Sequence, residues 1–209
     1  MSEFTAGNLV LNYHKKVVEA SNPLIIKPIN DNWSVFFTKD TEVSDIYPAD
    51  VMNITSEVPV LYFYNFEDHG WGFTILYQNK VQSIFDFSYE NDEIALQNYV
   101  QERFPDKESI ELLYVNPDSD AFREKMIEEF YKENSKVDQL KKLIEHLDVD
   151  TFALFDFEAN KIDKLKEIFS IESLESLQDR YSFIDNFKTI IDIQEMSWIR
   201  ADRIENLLE

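Results

Sequence analysis

Residues 58–90 constrain the fold most strongly, because apolar and polar side chains alternate there through three consecutive segments. The second segment, residues 71–78, places large apolar residues at every other position, and these are Trp71, Phe73, Ile75 and Tyr77. Successive side chains of a β-strand point to opposite faces, so a period of two is typical of a strand with one buried face. The segments predict three neighbouring antiparallel strands, over residues 58–67, 71–78 and 81–89.

The first and third segments indicate how this sheet is placed. Residues 58–67 are apolar at both odd and even positions, which predicts a central strand that is covered on both faces. In the third segment Phe85 and Phe87 share the apolar face, whereas Asp86 and Glu90 point the other way. One side of this part of the sheet is therefore expected to be core, and the other to carry acidic groups.

The turn between the first two strands holds the densest group of reactive side chains. Its residues are Glu67, Asp68, His69, Gly70, Trp71 and Gly72. A loop with an acid, a histidine and an aromatic ring can bind a cation or act as a base. The structural alternative is that Gly70 takes a positive φ in a hairpin, and that Gly72 lets Trp71 or a neighbouring strand pack closely. A second, tighter hairpin is predicted at Asn79-Lys80.

The N-terminal residues carry shorter patterns. Residues 8–20 predict a helix, because Leu9, Val10, Tyr13 and Val17 are spaced as one helical face. Short strands follow at residues 24–27 and 33–39. Residues 40–57 are rich in turn formers and predict a long loop, or a loop with one helical turn. Residues 91–104 predict a helix that Pro105 ends.

The chain changes character at Pro117, after which it contains neither glycine nor proline. A run of this length without the usual breakers predicts a helical half. A long amphipathic helix is expected from residue 118 or 119, bent or broken near Asn134-Ser135. Residues 151–157 predict a short strand or a buried link. Further helices are expected around residues 162–169, 174–191 and 196–208.

These patterns together predict an α+β protein. An antiparallel sheet of about four to five strands occupies the N-terminal half, and the C-terminal half is rich in helix. We divide the chain into a sheet domain, residues 1–105, and a helical region, residues 106–209, that packs on the sheet or forms a second small domain.

The net charge of −21 is far larger than solubility requires. It amounts to −3 over residues 1–50 and −6 over each of the ranges 51–100, 101–150 and 151–209, so it is not confined to a tail. Such a field repels nucleic acids and anionic membranes, and it steers basic proteins toward the surface. The simpler reading is that the acids only keep the protein soluble.

Several function classes lack their motifs. Without cysteine the chain has no disulfides, thiolate zinc sites or cysteine nucleophiles. Of its three glycines only Gly70 and Gly72 are close together, which excludes a phosphate loop, and no serine lies in a Gly-x-Ser-x-Gly elbow. The acidic stretches from Asn116 and Asp148 lack the glycine and final glutamate of a calcium loop. We predict no cofactor and no imidazole-rich metal site, although the composition leaves carboxylate-bound magnesium open.

The N-terminal residues lack the basic start and apolar run of a signal peptide, and no segment has 18 uninterrupted apolar residues. We therefore expect a cytoplasmic protein. Our first hypothesis for its function is a binding module that neutralises a basic partner, such as a nuclease or another nucleic-acid-binding enzyme. The module is then an immunity protein or antitoxin, or a phage-encoded nucleic-acid mimic that inhibits a defence enzyme. The expected partner-binding acids are Glu67, Asp68, Asp86, Glu90, Asp92 and Glu93.

The second hypothesis is an enzyme or a small-ligand-binding domain. Its site is expected between the aromatic sheet and the helices, with Asp86, Glu67 or His69 near the mouth. The absence of catalytic motifs favours the first hypothesis. Ionic strength separates the two, because salt screens the attraction between large opposite charges but has little effect on a small neutral ligand.

Overall fold

The computed structural model describes residues 4–39, 47–66, 68–177 and 179–203. Within them the chain has the predicted α+β fold, with a six-stranded antiparallel sheet in the order β2-β3-β1-β4-β5-β6. The strands are β1 (Phe4–Leu11), β2 (Ile25–Pro28), β3 (Trp33–Phe37), β4 (Val60–Phe66), β5 (Gly70–Tyr77) and β6 (Lys80–Ser88). Strand β4 pairs with both β1 and β5, which confirms that it is central.

The strand that the sequence analysis did not predict is β1. It takes the place of the first half of the helix predicted over residues 8–20, so that half of the prediction is wrong. A 3₁₀ turn, Asn12–His14, follows β1, and only Lys15–Ala20 is helical (α1). Because β1 lies between β3 and β4, Leu9 and Val10 are buried on opposite faces of the sheet. A strand that is buried on both faces has adjacent apolar residues, as one side of an amphipathic helix does. The spacing of apolar residues alone does not distinguish such a strand from a helix.

The hairpins differ slightly from prediction. The β5–β6 turn is formed by Gln78 and Asn79, which have φ values of 53° and 58°, so it lies one residue earlier than Asn79-Lys80. Positive φ at both central residues matches the right-handed twist of the flanking strands. Gly70 has a φ of 148°, which confirms its predicted role in the other turn. Within the predicted loop over residues 40–57, Ala49–Thr55 forms a helix, α2, and residues 40–46 lie outside the described residues.

The C-terminal half is mostly helical, as predicted. Its elements and the helix before it are α3 (Asn91–Arg103), a π-helical turn (Glu111–Val115), α4 (Ser119–Glu133), α5 (Lys136–Leu143), α6 (Ala159–Ile168), α7 (Ile171–Glu175) and α8 (Arg180–Ile191). The predicted break near Asn134 is confirmed. There the Ser135 hydroxyl accepts a bond from the Asp138 backbone N–H at 3.2 Å and caps α5.

Two C-terminal predictions need correction. Residues 151–157 are not a strand, because Val149–Phe155 forms a 3₁₀ helix; the helix buries Phe152 and Phe155, which agrees with the predicted alternative of a buried link. The predicted final helix is limited to a 3₁₀ turn, Ala201–Arg203, within the described residues, and residues 204–209 lie outside them. Asp156 and Asp192 end their helices in the left-handed region, a role that glycine often takes.

One face of the sheet, which we call the inner face, carries Leu61, Phe63, Trp71, Phe73 and Phe85. All five are buried in one core with helices α5 to α8 and the 3₁₀ helix between α5 and α6. Phe187 of α8 stacks on Phe73 with 5.0 Å between ring centroids and 6° between ring planes. Trp71 and Phe85 are essentially inaccessible to solvent, as the alternation predicts.

The opposite, outer face is covered only in part by a smaller core. Its sheet residues include Val60 and Leu76, which pack with Val18 of α1 and with Val51 and Ile54 of α2. A third core joins α3, the π-helical turn and α4, away from the sheet. Among the described helices, none is both long and apolar enough to cross a membrane.

Candidate functional site

A straight row of residues crosses the outer face and sets the geometry of the candidate site. Strand register places Ala6 of β1 beside Tyr64 of β4, Tyr64 beside Gly72 of β5, and Gly72 beside Asp86 of β6. The Tyr64 hydroxyl reaches across β5 and donates a hydrogen bond to Asp86 Oδ1 at 2.5 Å. A side chain from one strand thus contacts a carboxylate two strands away.

Gly72 makes this reach possible because it has no side chain. A Cβ atom there would lie 2.7 Å from Tyr64 Oη and 2.9 Å from Tyr64 Cε1. It would also lie 2.3 Å from the backbone oxygen of Phe85. Contacts under 3.0 Å are essentially never made by real Cβ atoms, so only glycine lets the tyrosine ring lie across β5.

Aromatic rings line the sheet beside this row. We call Phe4, Tyr47, Tyr62, Tyr64 and Phe66 the aromatic strip. Its neighbouring ring centroids are 5.2 to 6.5 Å apart, and all five residues are partly exposed. The Tyr47 hydroxyl donates to Thr74 Oγ1 at 2.7 Å, which fixes one end of the strip.

The tyrosines of the strip are neutral hydrogen-bonding groups. Burial raises the pKa of Tyr64, and the hydrogen bond to Asp86 raises it further. Burial also raises the pKa of Tyr47 and of Tyr62. Their hydroxyls therefore stay protonated across the physiological range, and the negative charge beside them belongs to Asp86.

The six predicted acids have different environments. Asp68, Asp86 and Asp92 are exposed, and Glu90 is exposed with its Oε1 3.3 Å from His69 Nδ1. The remaining two are Glu67, which lies outside the described residues, and Glu93, which forms an ion pair with Arg123 at 2.9 Å.

The Glu93 pair joins α3 to α4, and both side chains are only about two-fifths exposed. Glu93 Oε1 and Arg123 Nε are buried without a hydrogen-bonding partner among the described residues. Glu93 is thus engaged inside the helical part of the molecule. Asp92 lies beside Tyr131 of α4, since its charge adds to the effect of burial in raising the pKa of Tyr131.

The turn at residues 67–72 was predicted to be either a reactive loop or a hairpin. The His69 side chain is 62% exposed, and its ring centroid lies 6.4 Å from that of Phe4. Gly72 does let neighbouring strands pack closely, as predicted, because a Cβ atom there would meet Tyr64 of β4 and the backbone oxygen of Phe85 of β6. Within the described ranges, no group of three or more histidine and acidic residues is placed to hold a metal ion.

The predicted small-ligand site between sheet and helices can be compared with this geometry. The inner face meets α8 through closely packed rings, such as Phe73 against Phe187 and Trp71 against Phe183 at 5.0 Å. Asp86 lies on the outer face, on the other side of the sheet from those helices. Of the residues named for the mouth of such a site, Asp86 and His69 therefore lie beside the aromatic strip, and Glu67 lies outside the described residues.

Sequence reasoning did not identify the aromatic strip as a site. The pattern that could have shown it is a complementarity in side-chain size between two neighbouring strands. Large rings occupy alternate positions of β4, at Tyr62, Tyr64 and Phe66, while Gly70 and Gly72 occupy alternate positions of β5. The register pairs Tyr64 with Gly72 and Phe66 with Gly70, so large residues face small ones.

Comparison with known proteins gave no relative. No family model matches the chain, and neither the curated proteins nor the solved structures gave a significant match.

Proposed function

We propose that this chain is an acidic protein-binding module that neutralises a basic partner, and that the aromatic strip with Asp86 is its contact surface. The partner is a nuclease or another basic, nucleic-acid-binding enzyme. The module is then an immunity protein or antitoxin, or a nucleic-acid mimic. The observation that carries the proposal is the exposed Asp86 carboxylate held against partly exposed tyrosine rings in a protein of net charge −21.

The chemistry of the strip suits arginine and lysine side chains. A guanidinium or ammonium group is attracted to the face of a tyrosine ring, and it also pairs with a carboxylate. Tyrosine is enriched among the residues that dominate binding energies at protein interfaces. Tyr47 and Tyr64 are already fixed by hydrogen bonds, so ordering them on binding costs little entropy.

The distribution of charge supports the same partner class. Several cations of the described residues are engaged with acids, as in the pairs of Arg103 with Glu133 at 2.6 Å and Lys166 with Asp150 at 2.7 Å. The large excess of acids remains after such pairing. An excess of one sign raises the association rate with oppositely charged proteins, and added salt removes the effect.

A charge-reversal experiment tests this function. A tagged protein is first used to recover the partner from the native host. The variant with Asp86→Lys and Glu90→Lys is then compared with a control carrying Asp163→Lys and Asp185→Lys. The control acids are exposed on α6 and α8, which pack against the inner face, and the control changes net charge equally.

We expect the first variant to reduce the association rate at low salt at least about tenfold more than the control. Surface plasmon resonance at two salt concentrations measures the rates, and urea unfolding shows whether both variants are folded. Equal rates for the two variants contradict the proposed contact surface. Turnover of a small molecule by the purified protein, with no basic protein recovered, contradicts the proposed function.

A further inference from the structure

The edge of the sheet at β6 leaves part of its backbone unpaired. The Ile84 N–H donates to the carbonyl oxygen of His146 at 2.9 Å, so the polar groups of Ile84 point away from β5. The Tyr89 N–H points the other way and donates to the carbonyl oxygen of His69 at 2.9 Å. In an antiparallel pair the backbone N–H and C=O groups of successive residues point alternately toward and away from the neighbouring strand. The backbone groups of Asp86 and Ser88 therefore point away from β5, like those of Ile84.

The edge of β6 is covered by other backbone groups at Ser83 and Ile84, and it is open, that is, without backbone partners among the described residues, at Asp86 and Ser88. His146 covers Ile84, and the Asp148 N–H donates to Ser83 Oγ at 2.9 Å. Over the part of the chain that the structure describes, no backbone group bonds to the outward N–H of Asp86 or Ser88. An unpaired edge of this kind is a template for another strand.

Two cavities lie on either side of this open edge. One of about 920 Å³ is lined by Ile84 and Asp86 on the outer-face side, together with residues of α3, α4 and α5. The other, of about 520 Å³, is lined by Phe87 and Tyr89 on the inner-face side. Asn91, Gln139 and Leu143 line both cavities, so the two adjoin around the edge. Side chains that alternate along an added strand would enter them in turn.

The cavities differ in chemistry. The larger one contains Asp86 and Glu102, and its third carboxylate, Glu133, is bound to Arg103. The smaller one combines apolar side chains with polar ones, among them Asp92 and Asp179. Its apolar residues are Phe87, Leu140, Leu143 and Leu177. Among the side chains that the structure describes, the linings of the two cavities include five carboxylates and two permanent cations, Arg103 and Lys142. This balance complements a basic segment with alternate apolar residues.

We propose that β6 accepts a seventh strand, which is an extended basic segment of the partner protein. Its backbone bonds to the outward N–H and C=O groups of Asp86 and Ser88. Its basic side chains enter the larger cavity, beside Asp86 and Glu102, and its apolar side chains enter the smaller one. Main-chain bonds supply affinity in such strand addition, and pockets for alternate side chains supply specificity. The inference rests on the proposed function and specifies how the same partner is held.

Synthetic peptides test this inference on the intact protein. The probe is Lys-Val-Lys-Val-Lys-Val, and the control is Lys-Lys-Lys-Val-Val-Val, which has the same charge and composition without the alternation. We expect the alternating peptide to bind about tenfold more tightly, as measured by calorimetry at low salt. Amide hydrogen exchange should slow at Asp86 and Ser88 when it binds. The Ile84 amide, which is already bonded to His146, should change little.

A pair of variants separates the backbone of Asp86 from its side chain. Asp86→Ala and Asp86→Pro both remove the carboxylate, but only proline also removes the outward N–H, and such a position is one where an edge strand tolerates proline. We expect Asp86→Pro to bind the alternating peptide at least about threefold more weakly than Asp86→Ala. If the proline variant does not fold, amide hydrogen exchange at Asp86 and Ser88 of the wild type shows whether the alternating peptide binds to their backbone.

The possible results distinguish this inference from the proposed function. Equal affinity for the two peptides, with unchanged exchange at Asp86 and Ser88, overturns strand addition even where a basic host protein is recovered. Binding of neither peptide at low salt overturns both proposals. Preference for the alternating peptide, with protection limited to the open edge, supports the added strand.

Discussion

Replacing Gly72 with alanine tests whether the Tyr64–Asp86 contact depends on a glycine between the two strands. The new methyl group would lie 2.3 Å from the Phe85 backbone oxygen and 2.7 Å from Tyr64 Oη. The tyrosine can rotate away, but the oxygen belongs to the adjacent strand and cannot move without loosening the ladder. We therefore expect both a displaced Tyr64 and a less stable sheet.

The expected loss of stability follows from three contributions, of which two destabilise the protein and one partly offsets them. Overpacking in a closely packed region costs about 1–3 kcal/mol. The lost hydrogen bond adds about 0.5–1.5 kcal/mol, with no allowance for charge because Asp86 is exposed. Alanine restricts the unfolded chain more than glycine does, which offsets about 0.4–1 kcal/mol. The free energy of unfolding should fall by about 2 kcal/mol as these effects combine.

Urea unfolding measures the loss of stability, and NMR of labelled tyrosines follows the site itself. The pKa of Tyr64 should fall in the variant, because the bond to Asp86 contributes to raising it. Gly7→Ala is the control: its Cβ would lie 2.7 Å from Val35 Cγ2 and 3.3 Å from Met196 Cε, on the inner face. It should leave the pKa of Tyr64 unchanged. A Gly72→Ala protein that unfolds with wild-type urea dependence and keeps the Tyr64 titration would refute the reasoning.

Three further predictions concern stability. Trp71→Ala and Phe85→Ala should each lower the free energy of unfolding by roughly 3–5 kcal/mol in urea, because both rings are fully enclosed. Tyr13 is 61% exposed, but partial desolvation of its hydroxyl and the hydrogen bond that it donates to Asp156 raise its pKa to about 12. The folded state then holds this proton more tightly than the unfolded state, whose tyrosine titrates near 10, so the stabilisation present below pH 10 is lost between pH 10 and 12. Tyr13→Phe should reduce that alkaline loss in urea titrations at pH 9 and 11.5. Glu93→Lys should destabilise by about 1–3 kcal/mol, and more than Glu93→Gln, because it leaves Arg123 facing a like charge; equal urea midpoints would contradict the ion pair.

The strands were predictable where large apolar residues alternate with small or polar ones. In β6 this alternation reflects one buried and one more exposed face, whereas β5 is buried on both faces and its outer positions include Gly70, Gly72 and Thr74. The alternation correctly placed Trp71 and Phe85 in the core. It fails for β1, where Leu9 and Val10 are both fully buried because partners and cores cover both faces. The error is therefore tied to a tertiary fact, the insertion of β1 between β3 and β4, that local spacing does not encode.

The candidate site was predictable only in part, for a related reason. Alternation placed Asp86 away from the apolar face, and the structure confirms that orientation. The companions of Asp86 depend on register, which pairs Tyr64 with Gly72, and on how far α2 extends over the outer face. Glu93 shows the same limit, since its burial depends on where α4 packs.

Asp86 lies where the outer face meets the open edge of the sheet, so the two proposals give one residue two kinds of contact. In the proposed complex the carboxylate attracts a basic partner over a distance, an effect that salt screens and that should appear mainly in the association rate. In the same complex the backbone N–H and C=O of Asp86 form short-range bonds after docking, which are less sensitive to salt and should appear in the dissociation rate. Charge removal by Asp86→Ala should therefore slow association with the partner at low salt, and the further change to proline should mainly speed dissociation at any salt. If both variants alter the same rate with the same salt dependence, face and edge do not act as separate contacts.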